Sequence, residues 1–273
     1  MERFTMALVQ MDSQADKEAN LKKAGTLIEK AAARGAQFVS LPEDVNYVGK
    51  ADGKRASAET IPGRTSDFFK ELAVKYKLWL HCGSFSEKVP GDERVRNTTI
   101  VVNPEGKIVC RYSKIHLYDV EIAGGPLVRE SNIVAPGTEI ATFDSDFGRM
   151  GLSICYDMRF PELYRIMALR GAILMFVPAN YTLYTGKDHW EVVLRTRAIE
   201  NQCFIAASAQ CGVKPAYPAY GRSIIVDPWG TVIAQASDGE GLCMAEIDTA
   251  RVDAVRKQLP SLPNRRPETY VWQ

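Results

Sequence analysis

The chain has 273 residues, 46% hydrophobic and 25% charged, an ordinary globular composition with ample material for a sizeable core. Lys plus Arg at 34 against Asp plus Glu at 33 leaves a formal charge of +1, so no global field recommends nucleic acid or an anionic membrane as partner. No segment approaches the ~20 apolar residues that span a bilayer, and residues 1–4 run straight into a strand pattern, which sets cytoplasmic residence as the expectation.

The six cysteines, at 82, 110, 155, 203, 211 and 243, are scattered and read as free thiols in a reducing compartment. The three histidines, His81, His116 and His189, form no metal-ligand spacing, so no metal is expected. Neither a dinucleotide fingerprint nor a phosphate loop occurs, and no cofactor is expected.

In chain order, residues 4–11 read as a buried strand. Residues 20–33 carry Leu21, Ala24, Leu27, Ile28 and Ala31 at helical spacing, and Arg34-Gly35 closes that helix. A strand over 37–41 ends in Pro42-Glu43-Asp44. Residues 50–60 are polar and read as an exposed excursion, 65–76 as a helix and 78–83 as a strand. Two stretches, 97–109 and 222–233, echo each other as β-rich arms joined by Asn/Asp-Pro-x-Gly, which is hairpin chemistry. Their recurrence suggests two sheets of related construction. Strands at 151–154, 172–177, 203–208 and 242–247 alternate with helices at 161–169, 189–201 and 249–257. Pro161 suits a first helical turn. The tail over 259–273 is proline-rich, and Tyr270, Val271 and Trp272 suggest that it docks on the body or on a partner subunit. No Pro/Gly/Ser linker divides the chain, so residues 1–273 read as one domain.

Three strands stop beside reactive groups. Cys155 falls where a strand gives way to the helix beginning at Pro161, a position where α/β proteins gather reactive groups. Glu43 follows one apolar strand, and Lys114 follows 108–113. A lone cysteine is more often a small buried hydrophobe, and a lone carboxylate or ammonium a surface ion pair worth ~0–1 kcal/mol. The three sit at comparable strand ends, as a shared site on one rim would require. The backbone N–H of Tyr156 is placed to face an oxyanion there.

Pro42-Glu43, then Tyr112-Ser113-Lys114-Ile115-His116-Leu117, then Cys155-Tyr156-Asp157-Met158-Arg159-Phe160-Pro161-Glu162 resemble the three signatures of the nitrilase superfamily of carbon–nitrogen hydrolases. Gly186-Lys187-Asp188-His189-Trp190, residues 195–201 and Asp227-Pro228-Trp229-Gly230 fit as well, so the match covers nearly the whole chain. The resemblance implies a four-layer αββα sandwich, pairing into a homodimer or a higher even homo-oligomer, and a Glu-Lys-Cys triad. Glu43 is then the general base and acid, Cys155 the nucleophile, and Lys114 with the Tyr156 N–H the oxyanion stabiliser. By position in the loop after Lys114, the family's second glutamate is Glu130, with Glu121 the lesser claimant.

Residues 113–122, followed by Glu130-Ser131-Asn132, resemble the Nit subgroup, which contains ω-amidases and amidases of deaminated glutathione. The implied substrate is a small carboxylated amide, with deaminated glutathione, split to 2-oxoglutarate and cysteinylglycine, preferred over α-ketoglutaramate. Nitrilase, N-carbamoyl hydrolase and non-catalytic scaffold remain as rivals. Asn180 and Tyr181 depart from the family's Ala-Phe pattern after Pro178 and bear on the pocket. Tyr184 and Trp190 are candidate pocket walls. Arg159, Arg195 and Arg197 are candidates for a substrate carboxylate, which a guanidinium holds bidentately.

Overall fold

The structure, a computed structural model, describes residues 3–123 and 127–270. The first half contributes β1 (Arg3–Gln10), α1 (Lys17–Ala33), β2 (Phe38–Ser40), α2 (Ala51–Ala56), α3 (Arg64–Tyr76), β3 (Trp79–His81), β4 (Phe85–Lys88), β5 (Val95–Val102) and β6 (Ile108–Ser113). A hairpin of β7 (Asp119–Glu121) and β8 (Leu127–Arg129) follows. The second half contributes β9 (Thr142–Ser145), β10 (Gly148–Leu152), α4 (Pro161–Leu169), β11 (Leu174–Phe176), α5 (Leu183–Asn201), β12 (Phe204–Ala207), β13 (Ile224–Val226), β14 (Val232–Gln235), β15 (Gly241–Asp248) and α6 (Ala250–Gln258).

These strands form two mixed sheets, ordered β15-β1-β2-β3-β5-β4 with β6 on β5, and β14-β13-β12-β11-β10-β9. At the middle of each lie three parallel strands with helical crossovers, β1-β2-β3 and β10-β11-β12. The two echoing hairpins fall one in each sheet, as β5–β6 and β13–β14.

Alternation along β1 decides the layers. Phe4, Met6 and Leu8 join the core between the sheets, while Ala7 and Val9 join a second core under α1 and α3. Across the inner core Phe38 of the first sheet meets Phe176 of the second at 5.1 Å, and Ser208 Oγ donates to Ser40 O at 3.0 Å. Tyr164, Met167, Trp190 and Leu194 bring α4 and α5 onto the second sheet. A Cβ at Gly151 would meet Met167 Sδ at 2.6 Å, so glycine there lets α4 lie close on β10. The result is the four-layer αββα sandwich.

Three sequence expectations shift. The stretch 50–60 is not simply an excursion, because it folds α2. The helix expected from 189 begins at Leu183, where the Thr182 hydroxyl accepts from the Thr185 N–H as an N-cap. Strands β4, β7, β8 and β9 carry too few apolar residues to have been read from periodicity. In the tail, Tyr270 and Arg265 line a groove with Ile166 and Leu169 of α4, while Val271 and Trp272 lie outside the described residues.

Candidate active site

Glu43, Lys114 and Cys155 each follow a strand, β2, β6 and β10, and all three line one cavity of about 360 Å³. Lys114 is only 2% exposed and Glu43 4%. Lys114 Nζ stands 3.2 Å from Glu43 Oε1 and 2.9 Å from Glu130 Oε2, bridging two carboxylates. The Tyr118 N–H donates to Glu130 at 2.6 Å and fixes that carboxylate. Glu121 is exposed and pairs with Arg129 at 3.2 Å, so only Glu130 of the two loop glutamates reaches the lysine.

Glu43 is held from three sides. Asn97 Nδ2 donates to its Oε1 at 2.9 Å, and the Asn180 backbone N–H donates to its Oε2 at 2.7 Å. Its backbone carbonyl accepts from Gln210 Nε2 at 2.9 Å. Asn97 also accepts the Lys114 N–H through its carbonyl at 2.9 Å, which locks the two strand ends in register. Asn97 was not among the sequence candidates. Its signal was a polar side chain inside a strand, which when buried needs a partner.

Cys155 occupies a left-handed backbone conformation, φ +48°, uncommon for a side chain with a Cβ. Two bonds hold the turn. The Cys155 N–H donates to Pro178 O at 2.9 Å, and the Ile154 N–H donates to Asp157 Oδ2 at 2.9 Å. Asp157, fully buried, also accepts from the Tyr112 hydroxyl at 2.6 Å and from the N–H and Nδ1–H of His116 at 3.0 and 2.8 Å. One carboxylate thus joins the cysteine turn to the segment carrying Lys114. His116, stacked on Phe160 at 3.6 Å, belongs to that support. Tyr156 is the second residue of the 3₁₀ turn Cys155–Arg159, where backbone N–H groups find no acceptor within the turn.

Electrostatics tie the groups together. Burial, then the neighbouring Glu43 charge, push the Cys155 thiol well above its usual value, with Lys114 opposing. Glu43 is thus the charged group that acts most strongly on the thiol. Burial likewise raises the Glu43 carboxyl against the pull of Lys114. For Lys114, burial favours the neutral amine, yet Glu130 and Glu43 hold it charged, well above the ordinary lysine range. The resting state is therefore a thiol beside a base, not a free thiolate.

The substrate candidates separate into groups. Asn180 and Tyr181 line the cavity, with Asn180 Oδ1 buried and without a hydrogen-bond partner among the described residues. Arg159 lies against that wall, its guanidinium 5.4 Å from the Tyr181 ring and bonded to the Tyr181 hydroxyl. It does not pair with Glu162 but reaches His189 Nδ1 at 3.3 Å. Tyr184 is half exposed and lines a neighbouring depression instead. Trp190 is fully buried behind Tyr181 and donates to Arg222 O at 2.8 Å, so it is packing and not a wall. Arg195 donates to Gly230 O at 2.8 Å, and Arg197 is buried on Met158 O and Glu200 at 2.8 and 2.7 Å. Both are occupied away from the cavity lining, Arg195 at the β13–β14 turn and Arg197 at the 3₁₀ turn after Cys155 and the Tyr164 ring of α4. Sequence reading missed Lys54, Tyr118 and Tyr217, which also line the cavity.

Fold and site together define a hydrolase class: an αββα sandwich with a cysteine, a lysine and two glutamates gathered at strand ends. A family model described as carbon-nitrogen hydrolase matches residues 5–257, and the chain belongs to that family, within the nitrilase superfamily. It is an enzyme of the amidase type. The chain is 40% identical over 269 residues to the deaminated glutathione amidase of Synechocystis sp. (strain PCC 6803 / GT-S), covering 97% of this chain and 99% of that one. It is 38% identical over 272 residues to omega-amidase NIT2 of Homo sapiens, covering 99% and 98%. The crystal structure of the C. elegans NitFhit protein superimposes with a TM-score of 0.92 at 39% identity, covering 99% of this chain and 67% of that one.

Proposed function

We propose that the chain hydrolyses a small carboxylated amide through a thioester on Cys155, with deaminated glutathione the preferred substrate. The observation that carries this reading is the gathering of Cys155, Glu43, Lys114 and Glu130 on one cavity, with Lys114 Nζ bridging the two glutamates. Glu43 takes the thiol proton as Sγ attacks the amide carbon. The developing oxyanion is met by Lys114 and the Tyr156 N–H, donors that act most strongly where water is excluded. Protonated Glu43 then gives its proton to the departing amine as the C–N bond breaks. Water, deprotonated by the same carboxylate, attacks the thioester, and the acid product and free thiol are released. Glu130 orients Lys114 throughout.

The acyl portion of such a substrate, 2-oxoglutaryl, carries a carboxylate, and Arg159 beside Tyr181 supplies a guanidinium for it. Similarity to the human omega-amidase favours a second reading, α-ketoglutaramate with ammonia as leaving group, by the same machinery. Turnover of both compounds side by side separates the two readings, and turnover of neither overturns both. Arg159→Gln is expected to raise KM for either compound about tenfold or more, since a charge-assisted hydrogen bond is worth roughly 1.5–3 kcal/mol. Unchanged KM would remove Arg159 from the pocket.

For the second glutamate, Glu130→Gln is expected to lower kcat roughly 10²-fold, whereas Glu121→Gln keeps wild-type turnover. Steady-state assays of the two variants check this, and the reverse order would move the role to Glu121. We further infer one catalytic unit spanning the chain, residing in the cytoplasm. Its six free cysteines suit a reducing compartment. Pairing into an even oligomer is supported by exposed apolar side chains on α4 and α5, namely Ile166, Leu169, Val192 and Ile199.

A further inference from the structure

The cavity around Cys155 holds a second ammonium that the hydrolytic steps leave unused. Lys54, on the short helix α2, lines the same cavity as Glu43, Lys114 and Glu130. Its side chain is mostly buried, and Nζ donates to Asp44 Oδ1 at 2.8 Å. Asp44 directly follows Glu43 and stands in a left-handed conformation, φ +56°, with its N–H on Ser84 Oγ at 3.1 Å. An acidic residue in an uncommon backbone state thus anchors the lysine at the cavity wall.

An ammonium has three donors, and Asp44 takes one. Burial works against the charge on Lys54, but Asp44, Glu130 and Glu43 hold its pKa above the ordinary lysine value. The lining carries three carboxylates, Glu43, Asp44 and Glu130, against Lys114, Lys54 and Arg129. Arg129 is already paired with Glu121 on the exposed β7–β8 hairpin. Lys114 is held between its two glutamates and serves the oxyanion. An anionic substrate entering this cavity therefore meets Lys54 as a buried cation whose one partner among the described residues is Asp44. Lys54 comes from the segment after β2, whereas Arg159 comes from the cysteine turn and bonds to groups on and just before α5. Lys54 on the cavity lining and Arg159 against Tyr181 are thus cationic groups supplied by different parts of the chain.

We propose that Lys54, held by Asp44, binds a carboxylate on the amine side of the scissile amide, so that the enzyme selects leaving groups that are themselves amino acids or dipeptides. This rests on the amidase reading above and deepens it.

The test uses a matched pair of 2-oxoglutaryl amides, one of glycine and one of ethylamine, differing in the leaving-group carboxylate. Lys54→Met is expected to lower the glycine-to-ethylamine ratio of kcat/KM by tenfold or more. The loss should appear in KM for the glycine amide, because a contact made equally in ground and transition states moves KM and not kcat. Lys54→Arg, which keeps the charge, should hold the ratio within threefold of wild type. Equal losses on both amides in Lys54→Met, or an unaltered ratio, would overturn the proposal while leaving the amidase reading intact. Wild-type protein that cleaves neither amide would overturn both. An Lys54→Arg variant that loses the ratio as fully as Lys54→Met would show that shape, not charge, sets it, which also overturns the proposal.

Discussion

Lys114→Met is expected to melt about 10 °C below wild type and to lose about 10³-fold or more in kcat/KM. Lys114 stands buried between Glu43 and Glu130 at 3.2 and 2.9 Å. Removing one partner of a buried ionic group typically costs ~3–5 kcal/mol, because the charges left behind are neither solvated nor paired. In a chain of this size each kcal/mol is worth roughly 2–4 °C in melting temperature. The deficit should shrink on acidification, since protonating Glu43, whose carboxyl burial raises, removes a charge that Lys114 had balanced. Calorimetry and steady-state assays on one preparation read both effects. A variant with wild-type melting and turnover would show that the lysine neither holds the cluster nor acts on the oxyanion. Arginine should not rescue it, because a planar guanidinium cannot replace a compact ammonium in a closed site.

Glu43→Gln is expected to lower kcat/KM at neutral pH by about 10²–10⁴-fold, the usual range for a positioned general base. The Cys155 thiol, buried and facing Glu43, is pushed well above its ordinary range, so attack depends on a partner that removes the proton. Glu43 itself takes up a proton at a higher pH than an ordinary carboxyl, through burial above all. Below that raised pKa the base is lost, so wild-type kcat/KM should fall as pH falls, with its acid limb above the usual glutamate value of 4.5. In Glu43→Gln the acid limb should vanish, and the residual rate should climb toward alkaline pH as the thiol begins to ionise. A variant with wild-type rate and an unchanged profile would mean that another group takes the proton.

Much of this arrangement was legible in the residues. Pro161 opening a helix, the apolar stripe of α1, and the two Asn/Asp-Pro-x-Gly hairpins each carry local chemistry that survives into the fold. Glu43, Lys114 and Cys155 were legible because each interrupts an apolar strand at its end. What escaped was what depends on tertiary placement. Asp157 sat in view beside Cys155, but three of its four donors arrive from the distant segment carrying Lys114. Arg195 and Arg197 looked like substrate ligands because spacing cannot say which face of α5 meets the cavity. Lys54 lay in a stretch polar enough to pass for a solvated loop, and only the folding of α2 over the cavity gives it a role.

The mechanism requires a covalent intermediate at one of six cysteines. Wild-type enzyme mixed with excess 2-oxoglutaryl amide, quenched in acid within a turnover, digested and weighed, should show the acyl mass on the peptide containing Cys155. The other five cysteines should remain unmodified, and the adduct should vanish as substrate is exhausted. Cys155→Ala should show neither adduct nor turnover. Acylation at another cysteine, or full turnover by Cys155→Ala, would contradict the central claim.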